Sequence, residues 1–236
     1  MQTLRMHLAD MCRVSQRCVD DSVKALQLGS PDMIASVRDN AYEINLLHSD
    51  TAGIARELLL SEHVVQERDL RFVLSSIRVC DALHMIHNNT LEMASNTMRL
   101  WGNGGSLALT DFPQAGDLVS NLVNSCSAAL IKEEIEPAQM VLQGDRFDRD
   151  FVRTFYDWYR TLDYAERTQA PYALSIARQF CEIVRHAREM AEAIVFWLDD
   201  DMDGAWPSSH TAEVNVLDLL TEESIMAVQT TMSGRL

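Results

Sequence analysis

The stretch that decides the fold reads Asp69-Leu70-Arg71-Phe72-Val73-Leu74-Ser75-Ser76-Ile77-Arg78-Val79. Its apolar residues recur at steps of three and four, the spacing that places side chains on one face of an α-helix. A weaker version of the same charged and apolar pattern returns in the second half of the chain, around Arg178. The sequence therefore predicts a repeated helical module.

Three helices are predicted in the first half of the chain. The first ends at Gly29, and Ser30-Pro31-Asp32 then supplies an N-cap, a first-turn proline and a first-turn acid. The second helix continues to Leu60, and the third runs from Asp69 to just before Trp101. Strand-like alternation of β-branched residues is missing, so a sheet is not expected.

A second set of helices follows the break at Gly102-Asn103-Gly104-Gly105-Ser106. These small and turn-prone residues disfavour a helix. These helices are predicted at residues 117–143, 145–162 and 171–198. Pro137 is expected to divide or bend the first of them, because proline removes a backbone donor. The predicted fold class is all-α, with two tandem three-helix bundles.

The predicted divisions are a first bundle at residues 1–101, a linker at 102–112, a second bundle at 113–198 and an acidic tail with a short helix at 199–236. The 236 residues are 47% hydrophobic, which is enough to bury a sizeable core. A formal charge of −15 and a pI near 4.7 argue against nucleic acid and anionic lipid as partners, since both attract basic surfaces.

Location is predicted from cysteine usage and from the apolar runs. The five cysteines are Cys12, Cys18, Cys80, Cys126 and Cys181. An odd number without a Cys-x-x-Cys pair indicates neither a disulfide framework nor a structural zinc site. No apolar run approaches the roughly 20 residues of a membrane span, and early charged residues argue against a secretory signal. We expect a reduced, soluble, cytoplasmic protein.

Several short motifs occur in order along residues 4–198. The first half contains Val23-Lys24-Ala25-Leu26, Val37, Ile44-Asn45, Asp69-Leu70-Arg71 and Arg78-Val79. The second half contains Ala138, Val141, Asp145, Ile176-Ala177-Arg178 and Glu192. In their order and spacing these motifs resemble the PhoU family, regulators of phosphate uptake and signalling.

The resemblance implies two linked three-helix units and a role without catalysis. The implied role is an adaptor between a phosphate ABC transporter and a sensor histidine kinase, which damps the phosphate-starvation response. The implied partners are therefore the transporter ATPase and the kinase, and we expect a homodimer. The candidate partner-binding residues are Asp69, Arg71, Arg78 and Arg178. Ion pairing between helices is the alternative role for these four.

Metal binding is a second theme of the resemblance. The family carries a Glu-x-x-x-Asp motif on the third helix of each half, where two carboxylates one turn apart can hold a cation. Here the corresponding positions hold His84 and Asn88, and then Cys181 and Arg185. The candidate metal ligands are His84, Asn88, Asp81 and His87. A polar helix face is the alternative.

An acidic run after the last helix is a second candidate cation site. Asp199, Asp201, Asp203 and Gly204 match the opening of a calcium loop, but His210 stands where the bidentate glutamate belongs. The alternative is an acidic cluster that marks the end of the helix.

Catalytic motifs are missing from the sequence. There is no phosphate-binding glycine loop with its lysine, no nucleophile elbow and no His-Glu-x-x-His. A non-enzymatic protein is therefore predicted, and a divalent metal ion is the one cofactor left open. Two other classes also remain open, a metal-binding helical bundle and a structural dimerisation module without a phosphate link.

Overall fold

The computed structural model describes residues 1–60, 66–102, 112–144 and 169–199. Regular structure in these ranges is α-helical, which confirms the predicted fold class. The helices are α1 (Gln2–Leu28), α2 (Pro31–Asp39), α3 (Ala41–Leu60), α4 (Glu67–Gly102), α5 (Phe112–Lys132), α6 (Glu136–Gln143) and α7 (Ala170–Leu198). None of these seven is long and apolar enough to cross a membrane. The helix predicted at 145–162 and the short helix of the tail lie outside the described residues.

The second predicted helix is in fact two helices, and the break falls at Asn40. Its side-chain amide donates a hydrogen bond of 2.7 Å to the carbonyl of Ser36, in the last turn of α2. Asparagine competes in this way for helical carbonyls, and the competition favours a helix end. The single helix predicted from Pro31 to Leu60 was therefore wrong at this point.

The C-terminal ends of α1 and α4 pack against each other. Gly29 has φ 63°, the left-handed conformation that closes helices and favours glycine, and its N–H bonds the carbonyl of Ala25. The indole of Trp101 packs on Gly29, and its Nε1 donates to the carbonyl of Leu26 at 3.2 Å. α4 extends through Trp101 to Gly102, beyond its predicted end.

Pro137 divides the second half as expected. α5 ends at Lys132, and α6 begins at Glu136 with Pro137 in its first turn. Proline fits that position because its missing N–H would have no partner inside the helix. Glu133, between the two helices, has φ 57°.

α4 and α7 form the central pair of the molecule. Phe72 contacts Trp197 with 4.7 Å between ring centroids, whereas Asn96, later in α4, donates to Ser175, early in α7, at 2.9 Å. The contacts run in opposite chain directions, so the two helices are antiparallel. One apolar core is continuous across both halves of the chain. It contains, among others, Leu8 of α1, Leu83 of α4, Val123 of α5 and Ile183 of α7.

The five cysteines are free thiols, and all but Cys181 are buried. Burial raises the pKa of Cys12, Cys18 and Cys80 to about 12 in each case. These three thiols therefore stay protonated and unreactive in the folded protein, as expected of core residues.

Candidate functional site

Two histidines and their partners join α3 to α4. His48 Nε2 lies 2.9 Å from Asp81 Oδ1, and His84 Nε2 lies 3.0 Å from Asn45 Oδ1. The two imidazole rings contact each other with 4.3 Å between centroids. Each helix supplies two residues three apart, the spacing that places them on one face. The result is a polar clasp, which we define as Asn45, His48, Asp81 and His84.

The hydrogen bonds of the clasp define which ring nitrogen of each histidine donates. Asn45 and Asp81 both accept through oxygen, so each histidine donates through its Nε2–H. The pKa of His84 is lowered, first by burial and then by the neighbouring His48, although Asp81 opposes the shift. The lowered pKa favours the neutral form of the His84 ring.

His87 lies one turn further along α4 but is directed into the protein. Only 1% of the residue is exposed, and neither ring nitrogen has a hydrogen-bond partner in the described part of the chain. Burial, with a smaller contribution from His84, lowers the pKa of His87 to about 4. Asn88, in contrast, is exposed.

The four predicted metal ligands are therefore not brought together. Asp81 and His84 bond side chains of α3, His87 is buried and Asn88 is exposed. Among the described residues, no group of three or more His, Cys, Asp or Glu side chains is arranged to hold a metal ion. The sequence analysis missed the clasp partners on α3. Their three-residue spacing, matching that of Asp81 and His84, was the available signal.

A second polar cluster lies along α7. The Arg185 guanidinium donates to Glu182 Oε2 through Nε at 3.0 Å and Nη2 at 2.8 Å, and to Glu189 Oε1 through Nη1 at 2.6 Å. His186 is 4% exposed, and its Nδ1 lies 2.9 Å from Glu189 Oε2. We call Glu182, Arg185, His186 and Glu189 the α7 ladder. The hydrogen bond from His186 is the largest influence that lowers the pKa of Glu189, while burial opposes it.

Two of the four predicted partner-binding residues hold α4 against α7. Arg78 forms an ion pair with Glu192 at 3.6 Å, and both side chains are about one-fifth exposed, at 20% and 21%. Burial raises the pKa of Glu192, and Arg78 opposes that shift. Arg71 donates to the carbonyl of Asp199 at 2.8 Å, and its guanidinium lies 5.6 Å from the ring centre of Phe196.

The other two predicted partner-binding residues stand nearer the surface. Asp69 is half-buried in the first turn of α4, and Arg178 is exposed on α7. The acidic run is described only at Asp199, whose carbonyl accepts the bond from Arg71. Asp201 and Asp203 lie outside the described residues.

These features define a class of protein: an all-α bundle built on two long antiparallel helices, with polar clusters of side chains along them. PhoU from Pseudomonas aeruginosa has the same fold, with a TM-score of 0.76 at 20% sequence identity. The alignment covers 84% of this chain and 96% of that one. The phosphate transport system regulatory protein PhoU from Streptococcus pneumoniae aligns with a TM-score of 0.70 at 17% identity, over 83% of this chain and 93% of that one.

The chain therefore has the PhoU fold, and the fold expected from the motif resemblance is confirmed. No protein-family model and no curated protein matches the sequence.

The metal clusters implied by the resemblance do not fit the donors present. In the first half, His84 is bonded to Asn45, and the side chain four residues later is a neutral amide, Asn88. In the second half the corresponding position is Arg185, which carries a positive charge and donates to two carboxylates. An arginine cannot ligate a cation, because it has no acceptor atom.

Proposed function

We propose that this chain is a divergent member of the PhoU family and regulates phosphate uptake and phosphate-starvation signalling. The observation that carries the proposal is the extent of the structural match. It spans 84% of this chain and 96% of the Pseudomonas aeruginosa PhoU. The match thus extends over nearly the whole length of that PhoU protein.

In this role the chain is a cytoplasmic, non-enzymatic adaptor between a phosphate transporter ATPase and a sensor histidine kinase. Its net charge of −15 favours partners with basic contact surfaces, since opposite potentials speed encounter and fix orientation. The exposed Arg178 and the half-buried Asp69 are the candidates for direct contact. Arg71 and Arg78 contribute indirectly, because they fix α4 against α7.

The test is recovery of partners from cells grown with ample phosphate and from cells starved of phosphate. Tagged full-length protein is captured and its bound proteins are identified by mass spectrometry. We expect a phosphate transporter ATPase or its sensor kinase to be enriched, with different yields in the two conditions. Arg178→Glu is expected to reduce this recovery. Arg56→Glu, the same charge reversal at an exposed position of α3, is the matched control.

Loss of recovery in both variants would assign the effect to net charge instead of to contact at Arg178. Equal capture of unrelated proteins in both growth conditions, without transporter or kinase, would contradict the adaptor role. The metal-binding alternative, with Asp81, His84, His87 and Asn88, and the dimerisation module stay predictions. Metal analysis of the purified protein tests the first alternative, and the mass of the protein in solution tests the second.

A further inference from the structure

The α7 ladder contains three side chains of the type that bind divalent metals. Glu182, His186 and Glu189 are spaced four and three residues apart, so they share one face of the helix. Two carboxylates and one imidazole suit Mn²⁺ or Zn²⁺. The Arg185 guanidinium stands among them, within hydrogen-bond distance of all three.

The hydrogen bonds show that the side-chain atoms that could ligate a metal already have hydrogen-bond partners. His186 Nδ1 donates to Glu189, so its Nε2 is an acceptor, and this atom lies 2.9 Å from Arg185 Nη2. The lone pair that a metal would need on the imidazole therefore accepts a guanidinium N–H. Both carboxylates accept from the same guanidinium. A metal could bind only by displacing Arg185.

The electrostatics favour the arginine over a bound ion. Glu182 and Glu189 are about one-third exposed, at 34% and 27%, so the solvent compensates their negative charges only in part. A guanidinium is permanently charged, and its several N–H groups can serve more than one acceptor. The guanidinium is also part of the protein, whereas a metal must be taken up from solution.

We propose that Arg185 takes the electrostatic place of a divalent metal in the second half of this protein, so that the α7 ladder is closed to metals. Glu182, His186 and Glu189 carry two carboxylates and one imidazole, and Arg185 is the cation that these three groups bind in the folded chain. Removal of the guanidinium opens the ladder to Mn²⁺. The stability of the wild-type second half is independent of divalent metals.

The test compares full-length wild type with Arg185→Gln after treatment with EDTA and gel filtration. Thermal unfolding and titration calorimetry are recorded with MnCl₂, since Mn²⁺ prefers carboxylate and imidazole to the five thiols of the chain. We expect Arg185→Gln to lower Tm by a few degrees without metal. With Mn²⁺ at roughly 100 times its Kd, Tm of this variant rises by about 5 °C or more.

Two further variants make the result specific to the ladder. Arg178→Gln removes an exposed arginine of the same helix and is expected to leave the metal response at the wild-type level. Arg185→Gln combined with Glu189→Gln is expected to lose the gained response. If Arg185→Gln alone does not fold, the proposal expects Mn²⁺ to restore its helical circular dichroism.

Three outcomes would overturn the proposal. The first is a folded Arg185→Gln that gains no Mn²⁺ binding, and the second is an unfolded one that Mn²⁺ does not restore. The third is a wild-type response that Glu189→Gln abolishes, because the ladder would then bind metal in the presence of Arg185.

Discussion

At the scale of the residue, burial influences the charge state of a side chain more than its spacing along the helix does. Asp81, His84 and His87 lie within two turns of α4 and carry metal-ligating groups. His84 bonds Asn45 on α3, whereas His87 is 1% exposed and has its pKa lowered to about 4. One helix thus holds a hydrogen-bonded imidazole and a desolvated one, three residues apart, with different chemistry.

The burial of His87 predicts a dependence of stability on pH. The unfolded chain binds this proton near pH 6.5, but the folded chain binds it only near pH 4. Between these values the unfolded state holds more protons, so the free energy of unfolding falls as pH falls. We expect a loss on the order of 3 kcal/mol across this window, measured by urea unfolding. His87→Leu should reduce this loss, and part of the pH dependence should remain because the pKa of His84 is also lowered. His7→Leu on α1 should leave most of the loss in place.

The ion pair of Arg78 and Glu192 gives a second prediction at this scale. Removing one member leaves a mostly buried charge without its partner, so Arg78→Ala should destabilise by about 1–3 kcal/mol. The double variant Arg78→Ala with Glu192→Ala should lose less than the sum of the two single changes. Strict additivity in this cycle would mean that the contact contributes nothing.

At the scale of the element, close approach sets which residues a helix tolerates. α1 and α5 meet at Gly116, where an added Cβ would lie 2.4 Å from Cγ1 of Val23. Valine is branched at Cβ and cannot easily turn its methyl groups away. A glycine inside α5 therefore costs helix propensity but permits this contact.

Gly116→Ala tests the contact directly. We expect destabilisation by about 1–3 kcal/mol from overpacking, although alanine is the better helix former. Val23→Ala combined with Gly116→Ala should recover part of the loss, because the smaller side chain vacates the space. Gly53→Ala is the control, since a Cβ there meets nothing within 4 Å. A Gly116→Ala protein as stable as wild type would show that α1 and α5 can move apart at this contact without loss of stability.

At the scale of the whole molecule, the central α4 and α7 pair links the two halves through one continuous core. Trp197 is 1% exposed and contacts Phe72 of α4. Trp197→Ala is expected to destabilise the protein by about 3–5 kcal/mol. The effect should reach both halves, since the cavity lies at their shared interface.

Labelling of the native thiols by a thiol reagent across a urea series measures this coupling. Cys12 and Cys80 report on the first half and Cys126 on the second, and all three are buried. We expect a single unfolding midpoint for the three thiols, which shifts as one in Trp197→Ala. A separate midpoint for Cys126 would show that the halves unfold independently.

The sequence by itself determined the helical class, the end of the first helix at Gly29 and the division at Pro137. These features are local, because caps, glycines and prolines act on the neighbouring backbone. The motif order also led to the PhoU fold, which depends on the pattern of the whole chain. The sequence analysis did not use the spacing of Glu182, Arg185 and Glu189, although residues three and four apart share one helix face.

Only the tertiary structure decided the rest. The partners of Asp81 and His84 come from α3, and Arg78 finds Glu192 on α7, far away in the sequence. Local spacing carries no information about which helix packs opposite, so it could not separate a metal ligand from a clasp residue or a buried imidazole. Hydrogen bonding and desolvation made that separation, and both depend on the packed neighbours of each side chain.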